Sequence, residues 1–509
     1  MPSLPARPHL DHLKHEAKAL QKAFREGDAH ARRRIHDAIG DHADVRLTDA
    51  QRAVAREYGF RTWAALRAHV QASRGVDEAV AAFLAAVESQ DAATAHGILR
   101  AEPRVAVESL HAAAALGLAP NAKRLVDADP SLVAVRAGAP AAEPLVYLCA
   151  SPFHGESPER DAGLLATARV LLDAGADPNA RDGRHGVPAL YGVTGMRSVL
   201  PIARLLLAAG ANPTDGESVH HAAERFHEDA LDLLLAAGAD LNAVGDWGNT
   251  PLYFLLRRWD VERETRLRQG FVWLLQHGAD PNVPNAEERE TALHLAARRG
   301  QHPAVVQLLL DHGADVHARR GDGSSPWRLA RRHGFDAVAA VLERAGAMPE
   351  PLSARDLLLA ACGRGDVEGA RALTSPDVLA TLGPADHRLL PEAAAADRGA
   401  SVEAYAAAGF PLDARDDMGA TALHRAALLG RAATMRALLA AGAPTDIRDH
   451  DHDSTPLGWA CFGADHVADP AGDYADSVRA LLEAGVRPRA GEYEPRHAGV
   501  RAVLRRSGA

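Results

Sequence analysis

The sequence predicts an all-α fold, a solenoid of about twelve helix-turn-helix units behind a small helical cap. Two observations predict it. The stretch from Thr291 to Ala318 reads TALHLAARRGQHPAVVQLLLDHGADVHA, and a near-copy starts at Thr421 as TALHRAALLGRAATMRALLAAGAPTDIR. Each copy holds two short apolar-periodic segments with a Gly turn between them and a Gly-Ala exit behind them. One such unit has an apolar face too large to leave wet and too small to close on itself, so it must lie against copies of itself. The second observation is composition. Ala, Leu, Gly, Arg and Asp are abundant while aromatics make up 5% of the chain, which suits short, closely packed helices punctuated by Gly turns. A length of 509 residues would otherwise suggest about three globular domains, a prior that does not hold for an array.

The first 74 residues do not follow the repeat. Leu10, Leu13, Ala17 and Leu20 recur at helical spacing and predict an amphipathic helix from Leu10 to Arg25 that ends at Gly27. Asp28 to Ile39 reads as a second helix. Thr48, with Gln51 three residues on, makes a capping box for a third that stops at Gly59. Thr62 caps a fourth with Trp63, Leu66 and Val70 on one face. An αα-hairpin closing the end of the array fits this pattern. A DNA-reading helix-turn-helix is the alternative, for which the second helix offers only Arg67 and His69.

The units follow in order. Phe83 to Leu99 is a degenerate opening and Leu110 to Val126 comes next. The third runs from Glu143 to Ala180, its helices separated by a Pro-, Gly- and Ser-rich insertion from Ser151 to Glu159. The fourth opens at Pro188, the fifth at Ser218, the sixth at Thr250 with extra charged length from Asp260 to Arg268, the seventh at Thr291 and the eighth at Ser325. Met348–Pro351 (MPEP) disfavours helix and marks a joint, either a bend or a break in stacking. Beyond it come two weak copies, Leu357 to Leu373 and Leu389 to Ala408. A strong copy starts at Thr421, and the last, from Thr455, carries an insertion between Ala464 and Tyr474. His497 to Arg505 is polar on much of its surface, as a cap must be. The division read from this is a helical module over 1–74, a first half of the array over 75–349, and a second half with its cap over 350–509.

In its openings (TALHLAA at Thr291, TPLYFL at Thr250) and its exits (GADLN ending at Asn242, GADPN at Asn282) the chain resembles the ankyrin repeat family, whose signature opens T-P-L-H-x-A-A and closes near G-A-D-x-N. The segment LTDAQRAVAREYGFRTWAALRAHV is similar to an element found ahead of the repeats in bacterial ankyrin proteins. The resemblance implies an ankyrin-repeat solenoid with short β-turn fingers. Thr291 and Thr421 would cap first helices, and Pro251 and Pro456 would sit at the first helical position, which needs no N–H donor. His294 and His424 would bond to neighbouring turns. Where that position is Tyr191, Tyr253, Arg328 or Gly458, the repeats would stack less tightly. Gly175, Gly238, Gly278, Gly313 and Gly442 suit the left-handed residue that ends each second helix.

The family holds partners on a concave face built from finger tips and the exposed side of each first helix. Carried over by position, the tip candidates are Asp246, Trp247, Asn249, Glu288, Glu290, Asp322, Asp417, Met418, Asp451 and His452. The helix candidates are Arg257, Arg258, Arg298, Arg299, Leu428, Leu429 and Phe462. Trp247 is either a partner anchor or packing over the adjacent finger, and the four arginines would form one basic patch across adjacent repeats.

Charge and cysteine usage bound the other chemistries. The net charge of −10 argues against a whole-chain polyanion binder. Its distribution is uneven: 14 Lys/Arg against 9 Asp/Glu up to Arg74, and 43 against 58 after it. The basic head leaves open a contact with an acidic partner or nucleic acid, although an ordinary solvated helix face is the favoured reading. Cys149, Cys362 and Cys461 are far apart and read as core residues in a reducing compartment. With no long apolar run and no secretory core at the start, the expectation is a cytoplasmic monomer that binds an unidentified protein, without membrane or nucleic acid. No catalytic residue, cofactor or metal is assigned. The run Asp449–Asp453 (DHDHD) reads as a solvated finger, and adjacent His220 and His221 cannot share a helix face. The alternative function is an enzyme or small-ligand binder using His and Asp on insertions near 151–167, 257–270 and 462–476.

Overall fold

The computed structural model describes residues 10–40, 44–245, 247–258, 265–416, 418–488 and 495–506, with the backbone alone at 68–69, 71–74 and 258. Asp246, Asp417, most of the charged length after Asp260, and the side chains of Arg258 and His69 lie outside the described residues. The chain forms two compact units, Met1–Asp240 and Leu241–Ala509. The described residues are helical throughout, with only isolated bridges such as Arg181 to Pro188 and Arg415 to Thr421 at the fingers.

The first unit opens on four helices, Leu10–Arg25, Ala29–Ile39, Leu47–Glu57 and Trp63–Glu88. Leu13, Ala17, Ile35, Val54 and Leu66 make a core of their own. Arg34 joins three of the helices by reaching Glu16 at 2.9 Å and Glu57 at 2.6 Å. Two caps are as the residues imply: Asp28 accepts from the Ala31 amide and Thr62 from the Ala65 amide. The third helix differs. It starts at Leu47, two residues earlier than a Thr48 cap implies, and Asp49 rather than Gln51 closes its box by accepting the Arg46 amide at 3.0 Å. The fourth helix runs unbroken through residues 74 and 75 and packs on Ala92–Ala101, so module and opening repeat share one helix. First helices then lie on first helices (Leu110–Ala115, Pro144–Cys149, Ala189–Thr194, Ser218–Arg225), and second helices on second helices (Ala119–Ala128, Pro158–Asp173, Leu200–Ala208, Glu228–Ala236).

The second unit repeats the plan. Pro251–Arg258, Ala292–Arg299, Pro326–Arg332 and Ala354–Arg364 form one run of first helices, and Leu389–Ala395, Ala422–Leu428 and Pro456–Phe462 form another. Tyr474–Glu483 carries the cap Ala498–Arg506, which buries Val500 and Leu504. Among the described residues the two units hold twelve helix pairs. The linker Met348–Pro351 is bridged by contact: Arg328 and Arg332 each reach Asp356 at 2.7 Å, and Gly363 backs onto the His333 carbonyl. Two short helices, Pro376–Leu379 and Pro384–His387, precede the tenth pair where the sequence showed only a weak copy.

The motif residues account for the stacking. The Nε2–H of His294 donates to the Ser324 carbonyl of the next finger at 3.2 Å, which leaves Nδ1 to accept from Thr291. His424 makes the same bridge to Ser454 at 3.1 Å. Tyr253 and Arg328 reach the next repeat by longer side chains, the Tyr253 hydroxyl donating to Glu290 at 2.7 Å and Arg328 pairing with Asp356. Yet their first helices pack less extensively on the next first helix than those of His294 and His424, as the departure from the motif implies. The exits are joined too. Asn282 donates to the Gly313 carbonyl at 2.9 Å and accepts the Asp315 amide at 2.7 Å, and Asn179 does the same to Gly210 and Asn212. Each exit Asn thereby satisfies backbone groups that a helix end leaves orphaned.

Candidate protein-binding face

Each finger is closed by one side chain that accepts backbone amides, and this decides which tip residues face outward. Asn285 accepts from Glu288 and Glu290, Asp416 from Met418 and Ala420, and Asp449 from Asp451, His452 and Ser454. Left outside at the tips are Trp247, Glu288, Asp322, Met418, Asp451 and His452, with Trp247 66% exposed. On the helix side Arg257, Arg299 and Phe462 are exposed, and Leu428 and Leu429 are half-buried.

Two tip candidates are buried instead. Asn249 is enclosed in its own turn, where its side chain donates to the Trp247 carbonyl at 3.1 Å. Glu290 is fully enclosed and receives both Nε and Nη2 of Arg298 (3.0 and 3.1 Å), Arg320 at 3.3 Å and the Tyr253 hydroxyl. Burial alone would raise the Glu290 pKa, but these donors hold it below the usual carboxylate range. Arg298 is therefore committed to an internal lock, and the expected patch of four arginines reduces to Arg257 and Arg299 among the described side chains. Arg299 donates to the Arg257 carbonyl at 2.6 Å. Asp356 is a second such lock, its pKa lowered to about 2 against the effect of burial by Arg332, Arg328 and Ser353.

The other constellations are also engaged. Asp449 of the DHDHD run is buried and accepts the Trp459 indole N–H at 2.8 Å, which with the His452 and Ser454 amides overrides burial and lowers its pKa to about 2. His220 is buried at the motif position, while His221 stands between Glu217 (3.2 Å) and Glu224 (2.7 Å). No group of three His, Cys, Asp or Glu able to hold a metal occurs among the described residues. The insertions near 151–167 and 462–476 are packed shut, and most of the one near 257–270 lies outside the described residues. Phe153 is buried and stacks on Phe83 at 6.4 Å, Ser151 donates to the Ala115 carbonyl at 2.6 Å, and His96 meets Glu156 at 2.6 Å. At the far insertion Asp469 is buried against Arg431 at 3.0 Å, and Asp465 accepts the Arg496 and His497 amides. Two clefts of about 280 and 240 Å³ lie between fingers, around Asn179 and Asp215 and around Asn282 and Asp315, away from those insertions. The three cysteines are free and buried, which pushes Cys362 and Cys461 up to about 12. Among the described residues no helix is long and apolar enough to cross a membrane.

Comparison with known proteins agrees with this architecture. Family models described as "Ankyrin repeats (3 copies)", "Ankyrin repeats (many copies)" and "Ankyrin repeat" match residues 266–353, 219–263 and 418–450. The nuclear factor NF-kappa-B p105 subunit of Gallus gallus is 41% identical over 160 residues, 26% of this chain and 16% of that protein. The chain thus spans well under half the length of this relative. Cyclin-dependent kinase inhibitor 2A of Monodelphis domestica is 31% identical over 127 residues, 25% of this chain and 69% of that protein. Among solved structures, the human ASB11 ankyrin repeat domain is 25% identical, with 47% of this chain and 99% of that one covered at a TM-score of 0.35. The repeating motif, the family models and the 31% identical relative agree: the chain belongs to the ankyrin repeat family, whose repeats are protein–protein interaction modules and in general not enzymes.

Proposed function

We propose that the chain is a non-enzymatic scaffold that holds a protein partner on the face made by its first helices and finger tips. One observation carries the reading. In the second unit Arg299, Arg364 and Phe462 stand outward at the ends of their first helices, Phe462 at 55% exposure, and the tips add Trp247 and Met418. A helix pair that buries its apolar residues elsewhere has no structural need for them there. Rigid presentation prepays the ordering cost of binding, so a few central anchors suffice. Asp246, Arg257, Arg258, Glu288, Arg299, Asp322, Asp417, Leu428, Leu429, Asp451 and His452 complete the proposed surface; Asn249, Glu290 and Arg298 support it from within. A cytoplasmic, bacterial and monomeric setting belongs to the same proposal. Three free, buried thiols support the reducing compartment and the segment 47–70 the bacterial one.

The test is a pull-down with the full chain, a Leu429→Asp/Phe462→Asp variant, and a control substituted at exposed Arg204 on a second helix. Loss of bound proteins from the double variant alone is the expected result. An unchanged set would remove the proposed face.

A further inference from the structure

The first helices of the second unit share a register that the backbone itself marks. Gly300, Gly334, Gly365, Asp397 and Gly430 all take positive φ (63°, 75°, 75°, 56° and 68°) and end successive first helices. The residue before each is therefore equivalent from repeat to repeat: Arg299, His333, Arg364, Ala396 and Leu429, with Phe462 one repeat further at the end of its own helix. Read along the unit, this line runs from cationic to apolar.

The cations at its start are not neutralised by ion pairs. Arg299 and Arg364 are exposed, and neither pairs with a carboxylate among the described residues. Arg298, Arg320, Arg328 and Arg332 share two buried carboxylates, Glu290 and Asp356, which leaves the balance of those locks to carboxylates at their edge. Glu288 and Asp322 meet Arg320 at the finger tips, and Glu392 acts on Arg298 and Arg299 from the tenth repeat. All this lies in an array with 43 Lys/Arg against 58 Asp/Glu beyond Arg74. Against an acidic background, a local cationic stripe steers and orients a partner of opposite sign.

We propose that this face takes an extended partner segment that is acidic at one end and apolar at the other, its carboxylates on Arg299 and Arg364 and its apolar side chains on Leu429 and Phe462. The inference rests on the scaffold reading above and names the chemistry of the segment. Two steps of about 8–10 Å between packed helices separate Arg299 from Arg364, and two more separate Ala396 from Phe462; the two runs together call for an extended segment of at least about 11 residues. A nucleic acid fits less well, because the apolar half would leave its phosphates without a cation.

The probe is a phage-displayed library of random 16-residue peptides, selected on the full chain and counter-selected on Arg299→Glu/Arg364→Glu. Neither side chain pairs with a carboxylate among the described residues and Arg299 loses only its bond to the Arg257 carbonyl, so the variant should keep a melting curve close to the wild type's. Recovered peptides should gather Asp and Glu in one half and Leu, Ile, Phe or Trp in the other. A synthetic copy should bind the charge-reversed variant at least tenfold more weakly, and likewise Phe462→Asp, with affinity falling as salt rises. Peptides without acidic excess, but still lost on Phe462→Asp, would overturn the charge assignment and leave the scaffold reading standing. Peptides insensitive to both variants would count against the face itself.

Discussion

Glu290→Gln removes one charge from an enclosed site and keeps its shape. The carboxylate holds Arg298 through two hydrogen bonds, Arg320 through a longer one, and Tyr253 from the preceding repeat. Charge-assisted hydrogen bonds of this kind contribute about 1.5–3 kcal/mol each in gross terms, while breaking a buried pair from one side costs about 3–5 kcal/mol net. The Arg298 and Arg320 side chains retain 23% and 15% exposure, so water softens the loss and about 3 kcal/mol is expected. The pH dependence has a definite sign. The folded carboxyl titrates below its unfolded value of about 4.3, so its contribution is present above that value and is lost as pH falls through the lower folded one. The assay is urea denaturation at pH 7 with hydrogen exchange on Pro251–Arg258 and Ala292–Arg299, since a repeat array can open locally. A loss below about 0.5 kcal/mol, or one spread evenly over both units, would refute the assignment of Glu290 as a lock between repeats.

Three further outcomes follow from the same contacts. Asn282→Ala removes a donor to Gly313 and an acceptor for Asp315, both exposed, and should cost about 1–2 kcal/mol; urea denaturation showing no loss would contradict it. Gly300→Ala places a Cβ within 2.3 Å of the Phe335 ring at a φ of 63°, whereas Gly313→Ala at 85° meets no atom within 4 Å. The first should therefore lower the melting temperature clearly more than the second, and equal effects would show that backbone strain alone matters. His111, His154, His294, His333 and His424 are all held below the usual imidazole range, by burial first. Each binds its proton more readily unfolded, so stability should fall below about pH 6.5, by up to about 1.4 kcal/mol per pH unit per residue. His221, raised by Glu217 and Glu224 against the effect of burial, runs the other way and offsets one of the five. A urea midpoint that stays level or rises between pH 7 and 5 would sink this.

The positions readable from sequence were those where the backbone dictates the residue. Thr291, Pro251 and Gly313 occupy a cap, a first helical position and a left-handed exit, so their chemistry is visible without neighbours. The bridges between exits were also written there, since Asn179, Asn242 and Asn282 each follow an exit Gly by four residues. What sequence could not separate was exposed from enclosed tip residues. Glu290 looks like any tip carboxylate until Tyr253, Arg298 and Arg320 close over it from three repeats. The helices Pro376–Leu379 and Pro384–His387 span one turn each, too short for periodicity to register. In the third helix the Thr48–Gln51 spacing pointed to the wrong box, because Asp49 stands three residues after Arg46 and its carboxylate reaches the free amide there.

Hydroxyl-radical footprinting of the full chain, alone and with a captured partner, tests the central claim most directly, because Trp, Met, Phe and Leu side chains report their own exposure. Phe462, Leu429 and Met418 should lose reactivity in the complex while exposed second-helix side chains keep theirs. Protection confined to the second helices, with Phe462 as reactive as in the free chain, would contradict it.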